Sequence, residues 1–267
     1  MNANFDYREI NRKSWNSRVD SHVGSDFYNM NDFLEGKSSL KGIESRLLGD
    51  INGLSILHLQ CHFGQDTLSL QRMGAKCVGV DLSDKAIEKA RELNAQLNLK
   101  SEFVACDVYE APEHIHDKFD IVFTSYGTVG WLPDLNRWAK VISGFLKPGG
   151  KLVFVEFHPV VWMFDSDFKN IEYRYFKSQP IVEEEEGTYA DRDADFSTKS
   201  VSWNHGLGEV VTALLSAGLS IDSFREYDYS PYDNFKNMIE FEKGKFRLGH
   251  LGDKIPMIYS LTASKKE

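Results

Sequence analysis

From Leu54 onward, short apolar runs alternate with amphipathic stretches, and this alternation constrains the fold more than any other feature of the chain. Leu54-Ser55-Ile56-Leu57-His58-Leu59 reads as a buried strand, followed by a helical stretch that ends at Gly74. Cys77-Val78-Gly79-Val80-Asp81 is the next strand. Ser83 then stands where a helix N-cap belongs, ahead of Ala86, Ile87, Ala90, Leu93 and Leu97 at helical spacing. Glu102 to Cys106 and Phe119 to Thr124 are the third and fourth strands. Asp134 caps a helix with Leu135, Trp138, Ala139, Ile142 and Phe145 on one side. The turn Lys147-Pro148-Gly149-Gly150 stops that helix and launches a fifth strand, Leu152 to Val155. Strands alternating with helices pair in parallel through right-handed crossovers. The expected fold is therefore α/β, an open, doubly wound, mostly parallel sheet with helices on both faces. Ligands of such sheets bind beyond the carboxyl ends of the strands, near the point where strand order reverses.

The flanks fall outside this repeat. Tyr7 to Val23 reads as a helix with Trp15 and Arg18 near its middle, and Ser39 to Leu48 as a second helix. Val160 to Lys199 is long, aromatic and irregular, with Ile171 to Phe176 expected as an edge strand; loops of that length are usually lids or binding elements. A helix from Gly208 to Ala217 ends at Gly218, Leu219 to Phe224 is a strand, and Ile255 to Leu261 is the last strand. The expectation is one domain over 1–267: a helical lid (1–50), a ligand-binding half (51–157), an irregular cap (158–205) and a C-terminal half facing the substrate (206–267).

Composition narrows the function classes. With 267 residues, 42% hydrophobic and 27% charged, the chain has the makeup of a packed domain, so disorder and coiled coil are disfavoured. No apolar run reaches the roughly 18 residues of a membrane span, and the start lacks the pattern of a signal peptide. A net charge of −9 with scattered basic residues argues against nucleic acid as a partner. The acidic run Glu183-Glu184-Glu185-Glu186 reads as a solvated loop. Three cysteines (Cys61, Cys77, Cys106) make no disulfide framework and fit a reduced, cytoplasmic setting.

Three strand ends carry the chemistry. The first runs His58-Leu59-Gln60-Cys61-His62-Phe63-Gly64-Gln65-Asp66-Thr67. The second, Asp81-Leu82-Ser83, lies where a nucleotide fold places the acid that holds ribose hydroxyls. A carboxylate there accepts both hydrogen bonds of a vicinal diol. The third, Asp107-Val108, is placed to accept from an exocyclic amine such as that of adenine. Two acids at successive strand ends, with a fourth strand opening into Ser125-Tyr126-Gly127, form a far narrower pattern than one acid alone.

On these residues the chain resembles the class I S-adenosylmethionine-dependent methyltransferases, in the group that methylates small molecules. The likeness covers Leu54 to Phe157 well and the rest loosely. That group's first motif has an acid followed by alternating glycines. Here those positions are His58, then Gln60, His62 and Gly64, so the Leu-Gln-Cys-His-Phe-Gly segment is a variant loop. The resemblance implies a Rossmann-like sheet of seven strands with an antiparallel last strand, supplied by Ile255 to Leu261. It also implies S-adenosyl-L-methionine as cofactor, with S-adenosyl-L-homocysteine as product. The cofactor would be held by Leu59, Gln60, Cys61, His62, Gly64 and Thr67 at the first strand end. Asp81, Leu82 and Ser83, Asp107 and Val108, and Ser125 and Tyr126 would hold it at the others.

For the acceptor side, Trp15, His22, Trp131, Trp203 and His205 are candidates, and Tyr126 is a candidate contact to acceptor or sulfonium. His158, directly after the fifth strand, is the candidate base, against a plain hydrogen-bonded loop histidine. Glu226 is a further residue of the variable half; His114 and His116 read as bystanders. His58, Cys61 and His62 lack a third ligand at metal spacing, so no metal is expected. Cys61 also fails as a nucleophile elbow, since Leu59 and Phe63 occupy positions that need small residues. Two other functions compete. A nicotinamide-dependent oxidoreductase also wants Asp81 but needs glycines where backbone meets pyrophosphate. A non-catalytic S-adenosylmethionine-binding module is supported by the degenerate first motif alone.

Overall fold

The computed structural model describes residues 6–266, so the first five residues of the expected lid lie outside the described residues. The chain runs α1 (Tyr7–Gly24), α2 (Met30–Leu34), α3 (Gly42–Leu48), β1 (Ser55–Leu59), α4 (Gln65–Arg72), β2 (Lys76–Asp81), α5 (Asp84–Gln96), β3 (Glu102–Ala105) and α6 (Ala111–His114). It continues through β4 (Phe119–Ser125), α7 (Leu135–Phe145), β5 (Leu146–Phe157), β6 (Ile181–Glu186), β7 (Ser197–Ser202), α8 (Leu207–Ser216), β8 (Leu219–Tyr227), β9 (Met238–Glu242), β10 (Lys245–Leu248) and β11 (Ile258–Lys265). The main sheet has seven strands in the order β3-β2-β1-β4-β5-β11-β8. β1 to β5 pair in parallel, and β11 runs antiparallel to both its neighbours. The doubly wound sheet with an antiparallel last strand is therefore present as expected.

Burial explains why the central strands form. Ile56, Leu57, Val122, Phe123, Leu152, Val153, Phe154 and Val155 are all fully buried, so β1, β4 and β5 carry apolar side chains on both faces. Two caps read from sequence are made: Ser83 Oγ accepts the Ala86 N–H at 3.0 Å, and Asp134 accepts those of Asn136 and Arg137. Sequential connections run outward from β1 in one direction to β3 and in the other to β5. The order reverses between β1 and β4, which fixes where a ligand crevice opens.

Four local expectations are corrected. Lys147 to Gly150 stays inside β5 as a bulge: Phe119 faces Leu146, but Ile121 already faces Lys151. Ile171 to Phe176 is no strand. Only Ile171 bridges, to Phe164, while the Arg174 carbonyl is taken by Asn204 and the Tyr175 hydroxyl by the Leu207 N–H. The second helix starts at Gly42 rather than Ser39. The acidic run is no loop; it forms β6, paired antiparallel with β7. Glu184 faces Lys199 across that pair, Glu183 accepts the Tyr173 hydroxyl at 2.6 Å, and Glu185 lies 3.5 Å from the Arg18 guanidinium.

α1 is pinned across the carboxyl edge of the sheet. Asn11 behaves like a strand residue toward β7, donating to the Val201 carbonyl and accepting its N–H, both at 2.8 Å. Asn16 and Arg12 reach Asp84 at the start of α5, also at 2.8 Å. Among the described residues no helix is long and apolar enough to cross a membrane.

Candidate cofactor and acceptor site

The loop after β1 is built on left-handed backbone. Gln60, His62 and Gly64 have φ of +57°, +52° and +79°, at the three positions where alternating glycines are expected. Only Gly64 avoids the strain, and no other residue fits there: a Cβ would lie 2.7 Å from the Phe103 ring and 2.9 Å from Ala90. Each non-glycine residue in this conformation costs of order 1–3 kcal/mol unless its surroundings hold it. They do. Cys61 N–H reaches the Val80 carbonyl at 2.9 Å, His62 N–H reaches Asp81 Oδ2 at 2.7 Å, and Gln60 Nε2 reaches the Thr128 carbonyl at 2.7 Å.

Asp81 closes β2 with one oxygen on His62 N–H and the other on Ser83 N–H, the latter at 2.8 Å. Burial raises its pKa to about 6 against the pull of those N–H groups. A carboxylate has about four lone-pair positions, so two remain for a diol. Asp107, just past β3, spends Oδ1 on the Tyr109 N–H at 2.8 Å; burial raises its pKa as well. Beyond β4, Tyr126 and Gly127 turn the chain at φ of +53° and +78°. The buried Glu156 of β5 holds that turn by accepting from Gly127 N, Thr128 N (2.6 Å), Thr128 Oγ1 (2.9 Å) and Val129 N (3.1 Å).

These strand ends open into one cavity of about 1170 Å³. Ligand pockets usually measure about 300–1,000 Å³, so there is room for a cofactor and a second molecule. Strand order lays the lining out in sequence: Asp107, Asp81, the Gln60–Gly64 loop, Ser125 to Gly127, then Phe157. α1 roofs the middle. Trp15 stands edge-on to Trp131 and to His62, each at 5.3 Å, and His62 stacks on Tyr28. Beyond Tyr126 the wall is aromatic, formed by Phe157, Trp162, Phe164, Phe168, Tyr232 and Phe235.

Among the described residues, three polar groups of the cavity lining are buried without a partner: Gln60 Oε1, Arg18 Nε and both ring nitrogens of His62. Buried polar atoms left unpaired cost about 1–3 kcal/mol each, so a ligand that carries both charge signs suits this stretch of wall. Burial also lowers the pKa of Arg18 and of His62, and the latter is therefore neutral.

Of the residues expected from sequence, Gln60, Cys61, His62, Gly64, Asp81, Leu82, Asp107, Val108, Ser125 and Tyr126 line the cavity, with Trp15, Trp131 and Trp203. Six others do not. Leu59 is fully buried in the core beneath the sheet edge. Thr67 is spent on His58 Nδ1 at 2.8 Å, and Ser83 on capping α5 and donating to Asn16. His22 is packed behind the roof between Tyr28 and Tyr189. His205 Nε2 donates to the Leu132 carbonyl, with Nδ1 facing Glu209. His158 turns toward Glu226, 2.9 Å from its Nε2, and Nδ1 accepts the Val160 N–H; the candidate base does not face the cavity. His58 is buried too, with its pKa lowered to about 3 by desolvation.

Sequence reading missed Glu156, Glu44, Asp66 and Tyr232. Glu156 did leave a signal, as the single charge in the apolar run from Leu152 to Phe157. Glu44 of α3 is fully buried, accepts the Tyr126 hydroxyl at 2.6 Å and the Lys41 N–H, and has its pKa raised by burial to about 7. A carboxyl whose folded pKa exceeds its unfolded one stabilises the fold most at low pH, and that advantage is lost as pH rises. Between pH 4.5 and 7 this group withdraws about 3 kcal/mol, and Glu44→Gln is expected to lose that slope. Urea unfolding of both proteins across this range checks it; parallel curves would contradict it.

Residues 56–150 match a family model described as methyltransferase domain. The chain is 30% identical to a demethylmenaquinone methyltransferase of Lactococcus lactis over 163 residues, 58% of this chain and 62% of that relative. It thus spans less than two thirds of that relative's length. Among solved structures, an S-adenosylmethionine dependent methyltransferase from Mesorhizobium loti superposes with a TM-score of 0.57 at 20% identity, covering 87% of this chain and all of that one. The geranyl diphosphate C-methyltransferase of Streptomyces coelicolor, solved with Mg2+, geranyl diphosphate and S-adenosyl-L-homocysteine, superposes with a TM-score of 0.60. It is 14% identical and covers 99% of this chain and all of that one. The fold is that of the S-adenosylmethionine-dependent methyltransferases.

Proposed function

We propose that this chain is a methyltransferase that transfers the methyl group of S-adenosylmethionine to a small-molecule acceptor. The observation that carries the reading is the row of Asp107, Asp81 and the left-handed Gln60–Gly64 loop along one edge of the sheet. Asp81 would hold the ribose diol and Asp107 the adenine amine, with Val108 and Leu82 against the base. Gln60 Oε1 suits the ammonium of the methionine end and Arg18 its carboxylate; both are buried and have unpaired atoms. Bound there, the sulfonium supplies an activated methyl group. The chain's own task is to align and enclose. Trp15, Trp131 and Tyr126 exclude water, and aromatic faces near a desolvated cation contribute about 2 kcal/mol. Fixed alignment of the reactants is worth roughly 7–11 kcal/mol of barrier.

The acceptor would enter the aromatic half beyond Tyr126, which suits a largely apolar molecule. With no glycine at positions 60 and 62, side chains crowd the place a pyrophosphate would need, which disfavours a nicotinamide cofactor. Net charge of −9 disfavours nucleic acid, and three buried free cysteines suit a reducing, cytoplasmic setting. We read the lid, cofactor half, cap and C-terminal half as one domain around this cavity.

Calorimetric titration with S-adenosylhomocysteine, beside NADH, tests the reading. Saturable binding of the former with NADH silent is expected; a folded chain that binds no S-adenosylhomocysteine would end it. Binding without label transfer from tritiated S-adenosylmethionine to any acceptor would favour a non-catalytic module.

A further inference from the structure

Beneath the acceptor half lies a cluster that cofactor binding does not explain. Tyr126 lines the cavity, and its hydroxyl donates to Glu44 Oε2 at 2.6 Å. Glu44 is fully buried, and among the described residues no cation pairs with it. It also accepts the Lys41 N–H. Several titratable groups surround the pair. Asp66 at the start of α4 is held by Ser39, Tyr232 stands edge-on to Tyr126 at 5.1 Å, and Lys41 lies over the Tyr232 ring at 4.8 Å. Lys151 of β5 is spent on the carbonyls of Leu47 and Leu48 at the end of α3. A buried carboxyl without a counter-charge is costly to ionise, and burial here favours its protonated form near neutrality.

We infer that Tyr126 and Glu44 form a proton relay that deprotonates a hydroxyl acceptor as it is methylated, with Tyr126 touching the acceptor and Glu44 storing the proton behind it. The inference rests on the methyltransferase reading. When Tyr126 donates to ionised Glu44, its oxygen keeps lone pairs free to accept from an acceptor hydroxyl in the cavity. As the acceptor oxygen forms its bond to the methyl carbon, the carbon–sulfur bond breaks and its electron pair returns to sulfur. The acceptor's proton passes to Tyr126 and the Tyr126 proton to Glu44. Sulfonium and carboxylate thus end as neutral thioether and neutral carboxylic acid, and the reacting pair leaves no new charge in the site. The relay takes the role expected of His158, which faces Glu226 instead.

Infrared difference spectra of the full chain saturated with S-adenosylhomocysteine test the pair without an acceptor. The expected result is a protonated-carboxyl band that titrates near pH 7, vanishes in Glu44→Gln and shifts in Tyr126→Phe. Absence of the band at mildly acid pH, or a band indifferent to Tyr126→Phe, overturns the inference. A second arm follows tritium-labelled methyl transfer to catechol. Tyr126→Phe and Glu44→Gln should each cut kcat by about 10²-fold or more and remove its rise with pH. Unchanged kcat in both variants overturns the relay. A wild-type chain that binds no S-adenosylhomocysteine would instead refute the methyltransferase reading.

Discussion

Replacing Asp81 by alanine is expected to weaken S-adenosylhomocysteine binding by about 10²–10⁴-fold while the chain still folds. A hydrogen bond to a charged group is worth about 1.5–3 kcal/mol, and the variant loses the two that the diol would make. It also loses the acceptor for His62 N–H, which helps to hold the left-handed loop that forms the methionine end of the site. Asp81→Asn keeps one acceptor oxygen and should fall between the two proteins. The sign of the pH effect follows from the raised pKa: as pH drops through about 6, Asp81 takes up a proton and stops serving as a double acceptor. Affinity should fall in acid for the wild type and be flat across that range for Asp81→Ala. Calorimetric titrations at several pH values measure both. Equal affinities for the two proteins would remove Asp81 from the site.

What the sequence disclosed and what it hid follow from how far each interaction reaches along the chain. β1, β4 and β5 were legible because strands buried on both faces read as continuous apolar runs, and the Ser83 and Asp134 caps because a cap is local. Asp81 and Asp107 were legible because a strand end places a residue at the ligand edge. Placement is not direction, however. His158 lies at that edge too, yet turns to Glu226, two strands away through β11. Thr67 and Ser83 follow their strand ends closely but are spent on His58 and on a cap. β6 was hidden because four glutamates make no apolar pattern. Their strand is decided by pairing with β7 and by contacts of Glu183 and Glu185 with Tyr173 and Arg18. Glu44 was illegible for a like reason: Tyr126 reaches it across 82 positions.

Glu156→Ala should have the largest effect on stability, about 3–5 kcal/mol of unfolding free energy from the donors it leaves unpaired. The buried carboxylate accepts from Gly127, Thr128 and Val129 backbone N–H groups, from Thr128 Oγ1 and from Phe157 N–H; removing it leaves these donors unpaired in the interior. Glu156→Gln keeps the shape but turns an amide NH2 toward N–H donors, so it should recover only part of the loss. The consequence extends to the cofactor, because the same turn offers the Thr128 carbonyl to Gln60 and the Gly127 carbonyl to Trp131 Nε1, each at 2.7 Å. Once the turn is released, Gln60 has no anchor at φ +57° and Trp131 no fixed place beside Trp15. Loss of S-adenosylhomocysteine affinity should therefore accompany the fall in urea midpoint. A variant that binds as tightly as wild type at equal stability would show that Glu156 does not hold the two loops together.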